Sequence, residues 1–297
     1  MHEVSEHCLD VVFVRRCCVS FLPASEGFDR IKMLLIIEAL LLISSALGQD
    51  HRDAGEGKIY PLDMAPNSVD DQYKGCRENM TKQVERNYLK KETSDPESEL
   101  ANAWKDAVKK HKTPGDNLTR NHSIAIYVYT NSGFKVYKNF NNAVRNDKKK
   151  YKNRTFKWYS LDFLLTDAIQ ILKKTQKKCY STYRGTNMKF NKTVLNKEVR
   201  FGSFTSSSLS LKRTRFFGNV SCFEIRTCEG ADLTKYSKHP EEKEVLIPPY
   251  ETFKVTAVRT KRDQKNLWCE TVFSLKSSGT RSDLNCALCK KPFKTKL

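Results

Sequence analysis

The stretch Glu241-Glu242-Lys243-Glu244-Val245-Leu246-Ile247-Pro248-Pro249-Tyr250 carries the residues best suited to chemistry. It follows Tyr236-Ser237-Lys238-His239-Pro240, which reads as a loop. It then runs into a short apolar Val-Leu-Ile segment bounded by prolines, the pattern of a buried strand. Side chains alternate on a strand, so Glu242 and Glu244 should share one face while Lys243 takes the other. Two carboxylates aimed together from the mouth of a buried strand form an acid/base pair. Such a cluster in a chain rich in Lys and Glu is ordinarily solvated surface. Its weight therefore comes from what lies upstream.

The elements that must position these glutamates divide into a helical first part and a strand-rich second part. Leu100, Ala103, Trp104, Ala107 and Val108 fall on one helical stripe after Ser98. Ile124–Thr130 reads as an apolar strand, and Phe140-Asn-Asn-Ala-Val-Arg starts a further short helix. From Asp162 onward, Leu165, Ala168/Ile169 and Leu172 recur at helical spacing, with lysines in the last turn. After Cys179 the texture changes to short strands: Cys179–Arg184, Phe201–Ser207, Val220–Thr227, Val245–Ile247, Thr252–Val258 and Trp268–Leu275. These apolar stripes read as core. No internal repeat interrupts them.

Met33 to Gly48 has the pattern of a secretory signal peptide: Arg30 and Lys32, then an apolar run, then a small-x-small ending. Residues 1–32 read as an upstream extension, 49–59 as a linker, 60–289 as one domain and 290–297 as a basic tail. That tail lacks the apolar stretch of a lipid-anchor signal, so the expectation is a secreted protein without a stable membrane anchor. The whole chain carries a net charge of +19. Four Lys/Arg and six Asp/Glu precede Gln49, which leaves +21 on the remainder. That balance suits nucleic acid, a membrane surface or an anionic polysaccharide, and secretion argues against nucleic acid. The densest basic run, Lys148–Arg154, has one interleaved aromatic and reads as a solvated loop. Six glycosylation triplets begin at Asn79, Asn117, Asn121, Asn153, Asn191 and Asn219, fitting an extracellular surface. Seven cysteines follow Gly48, and in an oxidising compartment most should pair and leave one over. Cys286-Ala-Leu-Cys289 has no second pair at zinc spacing, so it reads as a disulfide partner plus a leftover thiol, with no metal site.

Three pieces line up in order: Tyr183-Arg184-Gly185, Phe201-Gly202-Ser203-Phe204-Thr205-Ser206-Ser207-Ser208, and Glu242-Lys243-Glu244. Together they resemble the arginine, serine, Glu-x-Glu signature of the arginine-specific ecto-ADP-ribosyltransferases. The flanks Leu62–Cys76, Ala103-Trp104, Arg226–Gly230 and Val245–Glu251 agree, so the likeness runs from about Tyr60 to Cys286. It implies an α+β fold: a helical N-terminal part packed on two crossed, mainly antiparallel sheets with a cleft for NAD. It implies transfer of ADP-ribose from NAD, with NADP as an alternative donor, to arginine side chains of target proteins by a monomeric enzyme. The resemblance also implies the pairs Cys179–Cys228 and Cys76–Cys286. Cys222 and Cys269, both on apolar strands, could form a third bridge and leave Cys289 free.

The reaction breaks the nicotinamide–ribose bond through an oxocarbenium-like state akin to that of glycoside hydrolysis. Arg184 suits the pyrophosphate, since its planar fork grips phosphate oxygens and stays charged. Ser206 suits the ribose, and the residue types do not separate it from Ser208. Glu244 faces the ribose and the developing cation, and Glu242 the incoming guanidinium, as base. Gly185 adjoins the donor site. Phe217 could stack on nicotinamide or serve the core, and Tyr236 could shape the acceptor side. The competing readings are an NAD glycohydrolase and a non-catalytic basic protein that binds anionic polysaccharide.

Overall fold

The computed structural model describes residues 57–289. The extension, the signal-like segment and the basic tail lie outside the described residues, as does residue 49–56 of the linker. The described chain enters through β1 (Ile59–Tyr60), one residue inside the stretch read as linker. Next come α1 (Arg77–Gln83), a π-helical turn (Val84–Tyr88) and α2 (Leu89–Thr93). α3 (Glu99–Lys110) starts where the Ser98 side chain accepts the Ala101 N–H, and it buries Leu100, Ala103, Trp104 and Ala107 as its spacing requires.

α4 (Arg120–Thr130) occupies the stretch expected as a strand. A capping box starts it: Thr119 accepts the His122 N–H, and His122 Nδ1 accepts the Thr119 N–H at 3.0 Å. Every residue from His122 to Thr130 is buried. A helix apolar all round shows no 3.6-residue period, and its Ile, Val and Tyr content favours a strand when read locally. α5 (Val136–Asn146) extends further back than the expected short helix. α6 (Lys148–Lys152) stands where a solvated loop was expected. Its Tyr151 turns inward and donates to Asp71 Oδ2 at 2.9 Å, which fixes the turn against the core. α7 (Tyr159–Gln176) is the long central helix and ends at Lys177 in the left-handed region.

The second half builds β2 (Tyr180–Thr186), β3 (Lys189–Phe190), β4 (Glu198–Val199) and β5 (Thr205–Ser208). A short helix α8 (Leu211–Thr214) and a 3₁₀ turn (Arg215–Phe217) follow. The remaining strands are β6 (Ser221–Thr227), β7 (Ala231–Asp232), β8 (Glu244–Ile247), β9 (Glu251–Thr260) and β10 (Thr271–Thr280). β1 and β3 form a small parallel ribbon. The other strands make one sheet in the order β4-β9-β10-β6-β2-β5-β8-β7, antiparallel throughout except for β10 beside β6. The sheet narrows to a single paired position, Tyr183 opposite Ser208, between β2 and β5. A five-strand part and a three-strand part therefore meet at a seam.

One apolar cluster joins the helices to Phe204, Ala231, Leu233 and Leu246. A second lies among Phe223, Ile225, Phe253, Val255, Phe273 and Leu275. The three disulfides are Cys76–Cys286, Cys179–Cys228 and Cys222–Cys269, with Cys289 free, matching the expected pairing. Asp70 and Asp71 reinforce the first: their carboxylates accept the backbone N–H groups of Leu284 at 3.0 Å and Cys286 at 2.8 Å. The two ends of the domain are thereby stitched together.

Candidate active site

The seam between β2 and β5 leaves strand edges that the ladder does not satisfy, and Arg184 serves one of them. Its buried guanidinium reaches across from β2, and Nη1 donates to the Ser206 carbonyl at 2.7 Å. Beside it, Gly185 lets the backbone of α8 and its following turn press onto β2. A Cβ at position 185 would stand 2.4 Å from the Gly218 carbonyl oxygen and 2.9 Å from that of Thr214. Gly218 in turn holds φ +136°, a conformation that side chains disfavour. The result is a crevice lined by Tyr183, Arg184, Gly185, Ser206, Ser207, Thr214 and Phe217. Arg184, Gly185, Ser206 and Phe217 thus come together at one crevice. Phe217 faces inward, whereas its neighbour Phe216 is 52% exposed and presents the open aromatic face.

The glutamates differ from expectation in backbone. Glu242 closes a 3₁₀ turn (Pro240–Glu242), and Lys243 sits at φ 49°, ψ 50°. Glu244 is the first residue of β8. Alternation on a strand therefore does not orient the pair. The left-handed Lys243 bends the chain between them, projecting its own side chain to solvent and leaving both carboxylates buried. Ser208 holds this bend. Its Oγ donates to the Glu242 carbonyl at 2.6 Å and accepts the Ser210 N–H at 3.0 Å. The Leu209 N–H adds a bond to the Lys243 carbonyl at 3.1 Å. The Ser208 hydroxyl is thus committed to backbone, which separates it from Ser206. The Ser206 hydroxyl lies 3.4 Å from the Tyr129 OH and hydrogen-bonds Glu244.

Burial pushes the Glu242 carboxyl up to about 9; the charges of Glu244 and Glu241 add to this, and Arg213 opposes it. Burial likewise pushes Glu244 up to about 7, opposed by the Ser206 hydrogen bond and the Arg184 charge. Oε1 of each glutamate is buried without a hydrogen-bond partner in the protein, and so is Asn141 Oδ1. Buried acceptors left without donors are rare in folded proteins and point to a ligand that brings donors. Sugar hydroxyls and a guanidinium are such donors, and the Arg184 fork adds a site for a phosphate oxygen.

Residue types alone had not singled out the helical wall of this cleft. Tyr129 on α4 donates to the Phe204 carbonyl at 3.2 Å and accepts from Asn141 Nδ2 at 3.0 Å. Burial, helped by the Glu244 charge, pushes its phenol up to about 12. Tyr137 is also raised to about 12 by burial, with the Arg184 charge pulling the other way. Tyr137 and Asn141 stand four residues apart on α5, a spacing that places them on one helix face. Recognising that α5 begins at Val136 would have exposed this pair. Tyr236, by contrast, is pinned in the core with its OH donating to Asp116 Oδ2 at 2.5 Å, so it does not open onto the acceptor side.

Over residues 62–277 the chain matches the family described as NAD:arginine ADP-ribosyltransferase. It is 36% identical over 236 residues to ecto-ADP-ribosyltransferase 5 of Mus musculus, covering 75% of this chain and 76% of that protein. It is 32% identical over 265 residues to NAD(P)(+)–arginine ADP-ribosyltransferase 2 of Gallus gallus, covering 86% and 82%. Among solved structures, the eukaryotic mono-ADP-ribosyltransferase ART2.2 is similar with a TM-score of 0.61 at 32% identity, covering 76% of this chain and 98% of that one. A variant of that protein in complex with NADH gives a TM-score of 0.61 at 30% identity, with 76% and 98% covered.

Proposed function

The chain belongs to the NAD:arginine ADP-ribosyltransferase family, and we propose that its four buried polar side chains divide the transfer of ADP-ribose from NAD to arginine between a donor side and an acceptor side. The observation that carries this reading is the pair of buried carboxylates, each with one oxygen lacking a protein partner, beside Arg184 and Ser206 at the seam. NAD is the substrate. Breaking its nicotinamide–ribose bond develops positive charge on the ribose, and the residues must stabilise that charge while presenting a nucleophile.

Arg184 holds the pyrophosphate, already oriented by its bond to the Ser206 carbonyl. Ser206 keeps the Glu244 carboxylate in place through its hydroxyl. Glu244, ionised, faces the ribose and its developing charge. The ligand-free value of about 7 leaves it close to half ionised at neutral pH, and a cation beside it favours the charged form. Glu242 accepts hydrogen bonds from the acceptor guanidinium and takes its proton as the N-glycosidic bond forms. Burial leaves the ligand-free Glu242 carboxyl protonated at neutral pH; the positive guanidinium beside it favours release of that proton to solvent, and the resulting carboxylate, desolvated, is then the stronger base toward the guanidinium.

The acceptor is an arginine on a target protein, and the enzyme acts as an extracellular monomer. Three disulfides support an oxidising compartment. No helix among the described residues is long and apolar enough to cross a membrane. Incubation with labelled NAD, with and without agmatine, tests the assignment. ADP-ribosyl-agmatine should dominate when agmatine is present, and free ADP-ribose as the main product under both conditions would turn the reading into that of a hydrolase.

A further inference from the structure

The exposed face of β9, β10 and β6 carries a row of cations. Lys254 on β9 stands directly opposite Lys276 on β10, and Lys276 directly opposite Arg226 on β6. Residues paired in register project from the same face of a sheet, and adjacent strands lie about 4.8 Å apart. All three side chains are exposed, and none makes an ion pair among the described residues. Like charges placed directly opposite one another destabilise a sheet. Here two such juxtapositions follow one another.

The row itself is polar; the half-buried Tyr183 and Trp268 pack against each other beside Glu224 in the neighbouring row. Glu198 on β4 extends the row beyond Lys254, and Ser181 on β2 extends it beyond Arg226. On one side the Thr256 hydroxyl donates to the Ser274 carbonyl at 3.1 Å, and on the other the hydroxyls of Thr252 and Ser278 bond each other at 3.0 Å. The acid of the neighbouring row, Glu224, is already paired with Arg259 at 2.5 Å. The exposed large hydrophobics among the described residues are Ile59, Leu195 and Phe216, and none lies on these strands. A protein interface needs exposed aromatic or aliphatic anchors at its centre, and the row offers none: Tyr183 and Trp268 lie one row away and are packed on each other. A linear polyanion needs only cations at regular spacing.

We propose that the Lys254–Lys276–Arg226 row binds a sulfated polysaccharide chain. The denser basic run at 148–154 is a poorer candidate despite its sequence. Lys148 is held by Asp283 at 2.6 Å and Lys150 by Asp147 at 3.1 Å. The run also contains the acceptor triplet at Asn153, whose glycan would cover it. The row has no such triplet beside it: Asn219 precedes the opposite end of β6, seven residues from Arg226.

The test uses the secreted, glycosylated chain and heparin as the probe. Binding is measured across a salt series for the wild type, for Lys254→Gln/Lys276→Gln/Arg226→Gln, and for Lys149→Gln/Lys152→Gln/Arg154→Gln. The row variant should elute earlier from heparin, and its slope of log affinity against log salt should fall by about 2–3, since each cation releases roughly 0.7–0.9 counterions. ADP-ribosylation of agmatine should be unchanged, which also verifies folding. Should the triple variant not fold, Lys276→Gln alone should lower the slope by about 0.7–0.9. The run variant should move little. Equal shifts for the two triple variants would reduce the effect to net charge and overturn the proposal. Competition by hyaluronan, which lacks sulfate, or by polyglutamate or duplex DNA, as strong as competition by heparan sulfate would overturn it in favour of another polyanion.

Discussion

Two backbone regions meet at Lys243 and treat chemically identical side chains differently. After it, Glu244 belongs to β8 and is held in a hydrogen-bonded ladder opposite Ser208. Before it, Glu242 closes a 3₁₀ turn fastened chiefly through its carbonyl to the Ser208 hydroxyl. On the proposed reading, the strand fixes a charge where the donor reacts. The turn holds the proposed base on a short backbone segment that the Ser208 hydroxyl and the Leu209 N–H fasten. Rigidity and role therefore divide together.

The largest expected effect is on the strand side. Glu244→Gln keeps the shape and removes the charge, so transfer to agmatine and NAD hydrolysis should fall together by about 10²–10³, as loss of one preorganised electrostatic group does. Product analysis with labelled NAD measures both. On the turn side, Glu242→Gln should lower transfer by about 10² while hydrolysis persists or rises, because water can take the acceptor position. A folded variant that lost the two activities in equal proportion would erase the distinction between the regions.

A smaller effect tests the fastening itself. Ser208→Ala removes the bond to the Glu242 carbonyl, and losing a buried hydrogen bond of about 1–1.5 kcal/mol corresponds to roughly tenfold. Transfer should drop by about that factor with hydrolysis nearly unchanged, whereas Ser206→Ala should lower both. Reversal of those two patterns would exchange the roles of the serines.

The smallest effect is on stability and its dependence on pH. Both carboxyls titrate higher in the folded protein than in the unfolded chain, at about 7 and about 9 against an ordinary value of 4.5. The stability they contribute is fully present below about pH 4.5 and is lost as pH rises toward those folded values. Relative to wild type, Glu244→Gln should therefore gain in melting temperature chiefly between about pH 4.5 and 7, and Glu242→Gln should continue to gain up to about pH 9. Melting curves from pH 4 to 10 would show this, and a variant advantage that shrank with rising pH would contradict it.

Much of this contrast was legible in the chain, because Arg184, Ser206 and the two glutamates sit in short segments whose order and flanks resemble the family's arginine, serine, Glu-x-Glu signature. The helices with polar faces, α3 and α7, were legible for the same reason. α4 was not: buried on all sides, it offers no period, so Tyr129 was assigned to a strand and lost to the site. The bend at Lys243 was hidden as well, because a left-handed lysine has no signature in residue type and owes its place to bonds from Ser208 and Leu209. The same bonds distinguish Ser208 from Ser206, and they join segments more than thirty positions apart. Local pattern could not carry that information.

The single bridge between β2 and β5 has a consequence for how the domain opens. A sheet joined there by one ladder position and the Arg184–Ser206 bond is expected to open as two units, with amide exchange faster on one side of the seam than on the other. Arg184 belongs to one unit, and Ser206 and Glu244 to the other. A dinucleotide gripped by all three would supply, while bound, the cross-links that the backbone omits, merging the two foldons into one.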